Sequence, residues 1–289
     1  MRLNNKFQKL TLSAWLLFLT PLVCLAGITY TNFTRVEDVI YARKAGTALT
    51  LDVFTPTHTN GCGLLWIVSA GYGSSHEAIK PEYFRAFLGR GYTVFAVVHG
   101  SAPKFSVREA EQDVLLAGSF VRSHAFKYGV NPARIGAIGA SAGGHLALTL
   151  ATKGNDVACV VAFFPPTDYL NYGRTGLEAA WIAPLLGMNT NAAMTNTAAE
   201  GTRLRRQISP IYFVRSNQPP VLIFQGDKDY MVPVDQARTF VKRSEELGNK
   251  TKLIIKTGRG HGWKDMGADM DTAADWFDEH LRGKASPAK

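Results

Sequence analysis

The stretch that most constrains the fold runs from Arg134 to His145, Arg-Ile-Gly-Ala-Ile-Gly-Ala-Ser-Ala-Gly-Gly-His. An apolar run leads into Gly139-x-Ser141-x-Gly143, and Leu146 to Ala151 continues as a helical run. A serine on a tight strand-to-helix turn needs small neighbours, because the backbone there is strained and close to other backbone. Its hydroxyl stands proud of the sheet, at a helix N-terminus whose dipoles favour negative charge. Gly-x-Ser-x-Gly alone is a pattern of common residues; strand before and helix after give it weight.

The rest of the chain repeats that alternation. Leu49, Leu51 and Val53 alternate with Thr50 and Asp52, which predicts a half-exposed early strand. Leu64 to Ala70, Tyr92 to Val98, Ala158 to Phe164, Val221 to Gln225 and Lys252 to Lys256 read as further strands, the first of these a continuous apolar run as expected of burial on both faces. Pro81 opens a short helix. Val107, Ala110, Val114, Ala117 and Val121 keep one face of a longer one. Helices also follow over Val234 to Leu247 and around Ala273, Ala274, Phe277 and Leu281. Strands alternating with helices predict an α/β fold, a mostly parallel sheet with helices on both faces. Residues 169 to 218 carry scattered apolar groups without clean periodicity and read as an insertion capping the site. A chain of 289 residues with this pattern is expected to form one domain.

In such a sheet, chemistry collects beyond the C-terminal strand ends. A serine hydroxyl needs a base to take its proton and a third group to orient the base. In serine hydrolases of this architecture the chain order is Ser, then Asp or Glu, then His. Of the seven histidines, only His261 and His280 follow the last plausible acid. His280 lies in a polar stretch of the final helix, whereas His261 sits between glycines in a loop after a strand. Asp229 is the leading acid, in the loop after Val221–Gln225. Asp227 competes as a turn-forming residue, and Asp168 is a weaker third candidate. The oxyanion donors are expected from the backbone of Ala142 and of Gly71 or Tyr72. Tyr169, Trp181 and Trp263 are candidate pocket aromatics.

Other features bound the biology. Arg2, Lys6 and Lys9 precede an apolar run from Leu10 to Ala26, the layout of a secretory leader cleaved before Gly27. That predicts a mature chain of 27–289, secreted or periplasmic and without stable membrane insertion; an uncleaved anchor is the alternative. Removal of the leader would leave Cys62 and Cys159, which an oxidising compartment would allow to pair. There is no Cys-x-x-Cys and no His-x-x-x-His, so neither metal nor other cofactor is expected. The formal net charge is +9, yet no Lys/Arg run is interleaved with aromatics and Arg203, Arg205 and Arg206 are the only tight cluster, so nucleic acid is not expected as a partner.

Together these residues resemble the α/β-hydrolase superfamily, from about Val36 to Leu281. Within it the chain looks most like secreted bacterial esterases of the feruloyl- and acetyl-xylan-esterase type, which border on the hormone-sensitive-lipase-like and prolyl-oligopeptidase-like hydrolases. Gly139-Ala140-Ser141-Ala142-Gly143-Gly144 matches that family's elbow and implies Ser141 as nucleophile. Gly226-Asp227-Lys228-Asp229 with Val232-Pro233 implies Asp229 as the acid, and Gly260-His261-Gly262-Trp263 implies His261 as the base. Such esterases usually carry His-Gly-Gly-Gly at the oxyanion loop; here the matching stretch is Ser69-Ala70-Gly71-Tyr72. They also commonly end the next strand in Tyr-Arg, where this chain has His99-Gly100. The resemblance implies a carboxylic-ester hydrolase for small or carbohydrate esters, with acetylated or feruloylated plant polysaccharide as one substrate class. A prolyl-oligopeptidase-like peptidase is the alternative enzyme, and a non-catalytic binding protein the alternative from another class.

Overall fold

The computed structural model describes residues 32–172 and 198–282. The leader read over residues 1–26, Trp181 and half of the capping insertion (173–197) lie outside them. The described chain forms one eight-stranded sheet in the order β1-β2-β4-β3-β5-β6-β7-β8. β1 (Phe33–Lys44), β2 (Thr47–Pro56) and β4 (Thr93–Val98) pair antiparallel. β3 (Gly63–Val68) pairs parallel with β4 and with β5 (Ile135–Ala140). β6 (Cys159–Phe163), β7 (Val221–Gly226) and β8 (Thr251–Lys256) extend the parallel array.

The central strands are apolar along their whole length because both faces are covered. On one face Leu65, Ile67 and Ala137 pack with Val114, Ala117 and Val121 of α2 (Val107–His124), with Leu146 and Leu150 of α3 (Ala142–Thr152) and, further along, Phe240. On the other, Leu64, Ile138 and Phe224 meet Phe87 of the one-turn helix α1 (Arg85–Leu88) and Phe277. The remaining helices are α4 (Ala198–Gln207), α5 (Val234–Glu246), which carries Phe240, and α6 (Gly267–Phe277). α2 starts where its sequence says it should: Ser106 accepts from Glu109 N–H while the Glu109 carboxylate takes the Ser106 N–H, satisfying two otherwise orphaned donors.

Two sequence expectations are revised. β1 precedes the first expected strand and pairs on the sheet edge, and α4 orders the second half of the segment read as aperiodic. Cys62 and Cys159 are both buried free thiols; β5 lies between the strands that flank them, so the pairing allowed by their number does not form. Among the described residues no helix is long and apolar enough to cross a membrane.

Candidate active site

The Ser141 turn is built by close backbone approach. Ser141 has φ 54° and ψ −120°, a conformation that non-glycine residues rarely adopt, and it joins β5 to α3 without an intervening loop. A Cβ on Gly139 would lie 2.3 Å from the Gly143 carbonyl oxygen, and one on Gly143 would lie 2.7 Å from that of Ile67. Only hydrogen fits at either place. The Ser141 N–H donates to Phe163 O at 2.8 Å, anchoring the turn to β6.

The next two loops arrive together. A Cβ on Gly226 would meet the carbonyls of Arg259 and Gly260 at 2.3 and 2.6 Å, so the loop after β7 and the loop after β8 lie in contact. Lys228 N–H donates to Arg259 O at 2.9 Å, and Gly258 N–H to the Asp227 carboxylate at 2.6 Å. Asp227 therefore ties the two loops as a turn residue. Asp229, 8% exposed, directs Oδ2 at His261 Nδ1 across 2.8 Å, and His261 Nε2 lies 2.9 Å from Ser141 Oγ. Asp229 Oδ1 accepts the N–H groups of Met231 and Val232, each at 2.9 Å, and Oδ2 also accepts from Gln225 Nε2 at 3.1 Å. A carboxylate can only accept, so His261 carries its proton on Nδ1 and presents a lone pair to the serine.

The other candidates fall elsewhere. Asp168 caps the base of the insertion, accepting from the N–H groups of Leu170 and Asn171 and from the Tyr212 hydroxyl. His280 is half-buried on the Trp276 ring and 2.9 Å from the Trp276 carbonyl, rather than solvated.

Gly71 (φ 53°) and Tyr72 (φ 65°) form a left-handed pair after β3, closed by reciprocal hydrogen bonds between Ala70 and Gly73 at 2.9 Å. Among the described residues no acceptor takes the backbone N–H of Gly71, Tyr72 or Ala142. All three border the same cavity, of about 360 Å³, with Ser141 and His261 on its floor. Pro166, Tyr169, Tyr172, Met231 and Val232 complete its described wall, which is mainly apolar. Tyr169 thus lies in this wall. Trp263 is not among the wall residues: its indole N–H donates to Asp269 at 2.6 Å, and the ring packs on Phe164 and borders a separate depression with Tyr83. Gln225, which no motif marked, also bears on the site through its hydrogen bond to Asp229. It is a polar group at the end of the apolar β7, and that misfit is the signal that could have found it.

One other cluster has ligand-like spacing: Asp38, Asp52 and His76 bring side-chain atoms within 4.8 Å of one another. The Arg35 guanidinium already occupies Asp52 through bonds of 2.9 and 2.5 Å, so the group is an ion-pair cluster on the sheet edge.

The mostly parallel sheet, the Ser141 elbow at its C-terminal edge and the Asp229 and His261 loops beside it define an α/β-hydrolase fold. Residues 51–243 match the BD-FAE family, and the chain belongs to it. Esterase LipC of Mycobacterium tuberculosis is 27% identical over 84% of this chain and 63% of its own. A probable isoprenylcysteine alpha-carbonyl methylesterase of Arabidopsis thaliana is 24% identical over 73% of this chain and 48% of its own. The chain thus spans about half to under two thirds of the length of these curated relatives. Among solved structures, a truncated carbohydrate esterase from gut microbiota superposes with a TM-score of 0.71 at 23% identity, covering 87% of this chain and 98% of that one. A propionate-bound esterase from Thermogutta terrifontis gives 0.67 at 24%, covering 87% and 96%.

Proposed function

We propose that the chain is a serine carboxylic-ester hydrolase working through an acyl-enzyme, with Ser141 as nucleophile, His261 as general base and then acid, and Asp229 as the group that orients His261. The observation that carries this is the unbroken line Asp229–His261–Ser141 at 2.8 and 2.9 Å, beside backbone N–H groups with no acceptor among the described residues. Ser141 Oγ attacks the ester carbonyl while its proton passes to His261 Nε2. The oxyanion is taken by the N–H of Ala142 with that of Gly71 or Tyr72. His261 returns the proton to the departing alcohol. Water then repeats the sequence, with His261 as base, and frees the acid and Ser141. Asp229 stays ionised throughout, holding Nδ1–H and balancing the imidazolium.

A cavity of about 360 Å³ with a mainly apolar wall suits a short acyl group. Relatives named as esterases, and the superposing carbohydrate esterase, support small esters as the class and esterified carbohydrate as a candidate within it. The basic and then apolar stretch from Arg2 to Ala26 supports export, with Gly27 as the expected new N-terminus.

The test is hydrolysis of p-nitrophenyl acetate, butyrate and decanoate, acetylated and feruloylated xylo-oligosaccharides, and a chromogenic peptide, by the wild type and by Ser141→Ala. Ester cleavage that favours acetate or butyrate and falls by about 10³-fold or more in Ser141→Ala is expected. A folded wild type that cleaves no ester, or a Ser141→Ala variant as active as wild type, refutes the reading.

A further inference from the structure

A chain of buried polar groups runs from the cavity wall into the interior and ends in a charged pair that the chemistry does not use. Tyr72 is 2% exposed, and its hydroxyl lies 3.0 Å from His145 Nδ1 and in hydrogen-bond contact with the Tyr169 hydroxyl. His145 is fully buried, four residues after the nucleophile, and its N–H donates to Ser141 O at 2.9 Å. Its Nε2 lies 2.7 Å from Ile208 O, which can only accept, so Nε2 carries a proton. In the neutral ring Nδ1 then accepts from Tyr72, and Tyr72 accepts from Tyr169. Glu111 of α2 stands 3.4 Å from the same Nε2, and Lys153 holds Glu111 through both carboxylate oxygens at 2.7 and 2.8 Å. Burial pushes the Glu111 carboxyl up, but the hydrogen bonds from His145 and Lys153 and the Lys153 charge outweigh it and keep it below the usual carboxylate range.

The Tyr72 backbone explains why such support is placed there. Its φ of 65° is disfavoured for a residue with a Cβ, and neighbours must hold it. Ala102 N–H does so from one side, donating to Tyr72 O at 3.0 Å. The side-chain tether to His145 does so from the other.

We propose that His145, backed by Glu111 and Lys153, is a positioning residue: by holding the Tyr72 hydroxyl in the interior it fixes the backbone of the loop that supplies the second oxyanion donor. This rests on the esterase reading of the same site. It gives Tyr72 a purpose that the usual glycine-rich loop does not need, because the anchored side chain replaces what extra glycines would leave to the backbone alone. A loosened loop misplaces a donor that acts on the tetrahedral intermediate and hardly touches the ground state, so kcat falls and KM stays.

The variants are Tyr72→Phe, His145→Leu, His145→Asn and the double Tyr72→Phe/His145→Leu, read by kcat and KM for p-nitrophenyl acetate. They are read in parallel by the rate at which a p-nitrophenyl alkylphosphonate modifies Ser141. Tyr72→Phe and His145→Leu are expected to lose about 10- to 100-fold in kcat and in phosphonylation rate, with KM within about twofold. The double variant loses no more than the worse single one, because both cut one link. Asn offers a polar atom near the place of Nδ1, so His145→Asn regains at least about half of the loss on a logarithmic scale. Unchanged kcat in Tyr72→Phe, multiplied losses in the double variant, or a rise in KM alone overturns the proposal. Tyr72→Phe and His145→Asn decide the matter if His145→Leu does not fold. A wild type that takes the phosphonate on Ser141 but cleaves no ester removes the esterase reading alone, and the phosphonylation rates still judge the tether. A wild type that takes neither removes both.

Discussion

Replacing Asp229 with asparagine changes one atom and sets a contest between hydrogen bonds whose outcome the structure determines. Four donors converge on the carboxylate: the N–H groups of Met231 and Val232 on Oδ1, and Gln225 Nε2 and His261 Nδ1 on Oδ2. Asparagine keeps only one accepting oxygen. If that oxygen faced His261, the new NH2 would point at two fixed backbone donors. If it faced Met231 and Val232, the NH2 would meet Gln225 and His261, and His261 can respond by changing tautomer. The second arrangement costs less, and it puts the imidazole proton on Nε2, facing Ser141. No lone pair then remains to accept the serine proton. The expected loss in kcat is about 10⁴-fold, or about 5.5 kcal/mol of barrier, with KM little changed. The mismatch with Gln225 should also cost about 1–3 kcal/mol of stability. Steady-state hydrolysis of p-nitrophenyl acetate from pH 6 to 9, together with a thermal melt, measures both. Asp227→Asn is the control: that carboxylate takes Gly258 N–H at 2.6 Å and no imidazole, so its kcat should stay within about threefold of wild type. An Asp229→Asn variant that keeps more than about a tenth of wild-type kcat, or an Asp227→Asn variant that loses as much as it does, refutes the assignment of the acid.

The remaining predictions concern the scaffold. In Gly139→Ala the new methyl would stand 2.3 Å from Gly143 O, and the displaced elbow should cost about 3 kcal/mol and 5–10 °C of melting temperature; a melt within about 1 °C of wild type would refute the close-approach account. His99 is buried, with Nδ1 2.8 Å from Gly100 O and Nε2 2.9 Å from Ser69 Oγ. Burial lowers its pKa below 6.5, with Lys44 acting the same way and Gly100 O and Asp113 opposing. The unfolded chain therefore takes the proton first, so this contribution to stability is complete above about pH 6.5 and is lost as pH falls toward the folded value. The melting temperature of wild type should drop more steeply from pH 7.5 to 5 than that of His99→Gln, and parallel curves would count against it. Cys62 and Cys159 are buried, and burial pushes the Cys62 thiol up to about 11. Peptide mass spectrometry should find both unmodified by iodoacetamide at pH 8 until the chain unfolds, and rapid alkylation of the folded chain would contradict the packing.

How much of this was legible in the sequence depended on where apolar periodicity and glycine spacing meet. Ser141 and Asp229 follow strongly apolar strands and sit beside glycines that backbone contact requires, whereas His261 follows the half-polar β8 and lies between Gly258 and Gly262, whose positive φ suits glycine, so strand, turn and chemistry left a signature at each. β1 left little: as an edge strand it exposes Phe33, Val36 and Ile40 and buries only Tyr41, so its alternation is weak. α4 reads Ala-Ala-Glu-Gly-Thr-Arg-Leu-Arg-Arg-Gln, too polar to show an apolar stripe. The direction of Trp263 was not readable, because a loop two residues past the base can turn toward the cavity or away from it. Glu111 was readable in principle: it falls on the buried face of α2 beside Val107, Ala110 and Val114, where an unpaired charge would be costly.

The acid and base loops come from the last two strands, and 120 residues separate Ser141 from His261. In the proposed mechanism Ser141 therefore leaves the ribosome long before either partner that would activate it. A nascent chain, or one clipped anywhere ahead of Gly260, carries a serine with no base and stays inert. With these roles, turnover reports only on chains that extend through His261, which lets a simple colour assay count them in a mixture where a stain for protein would count shorter fragments as well.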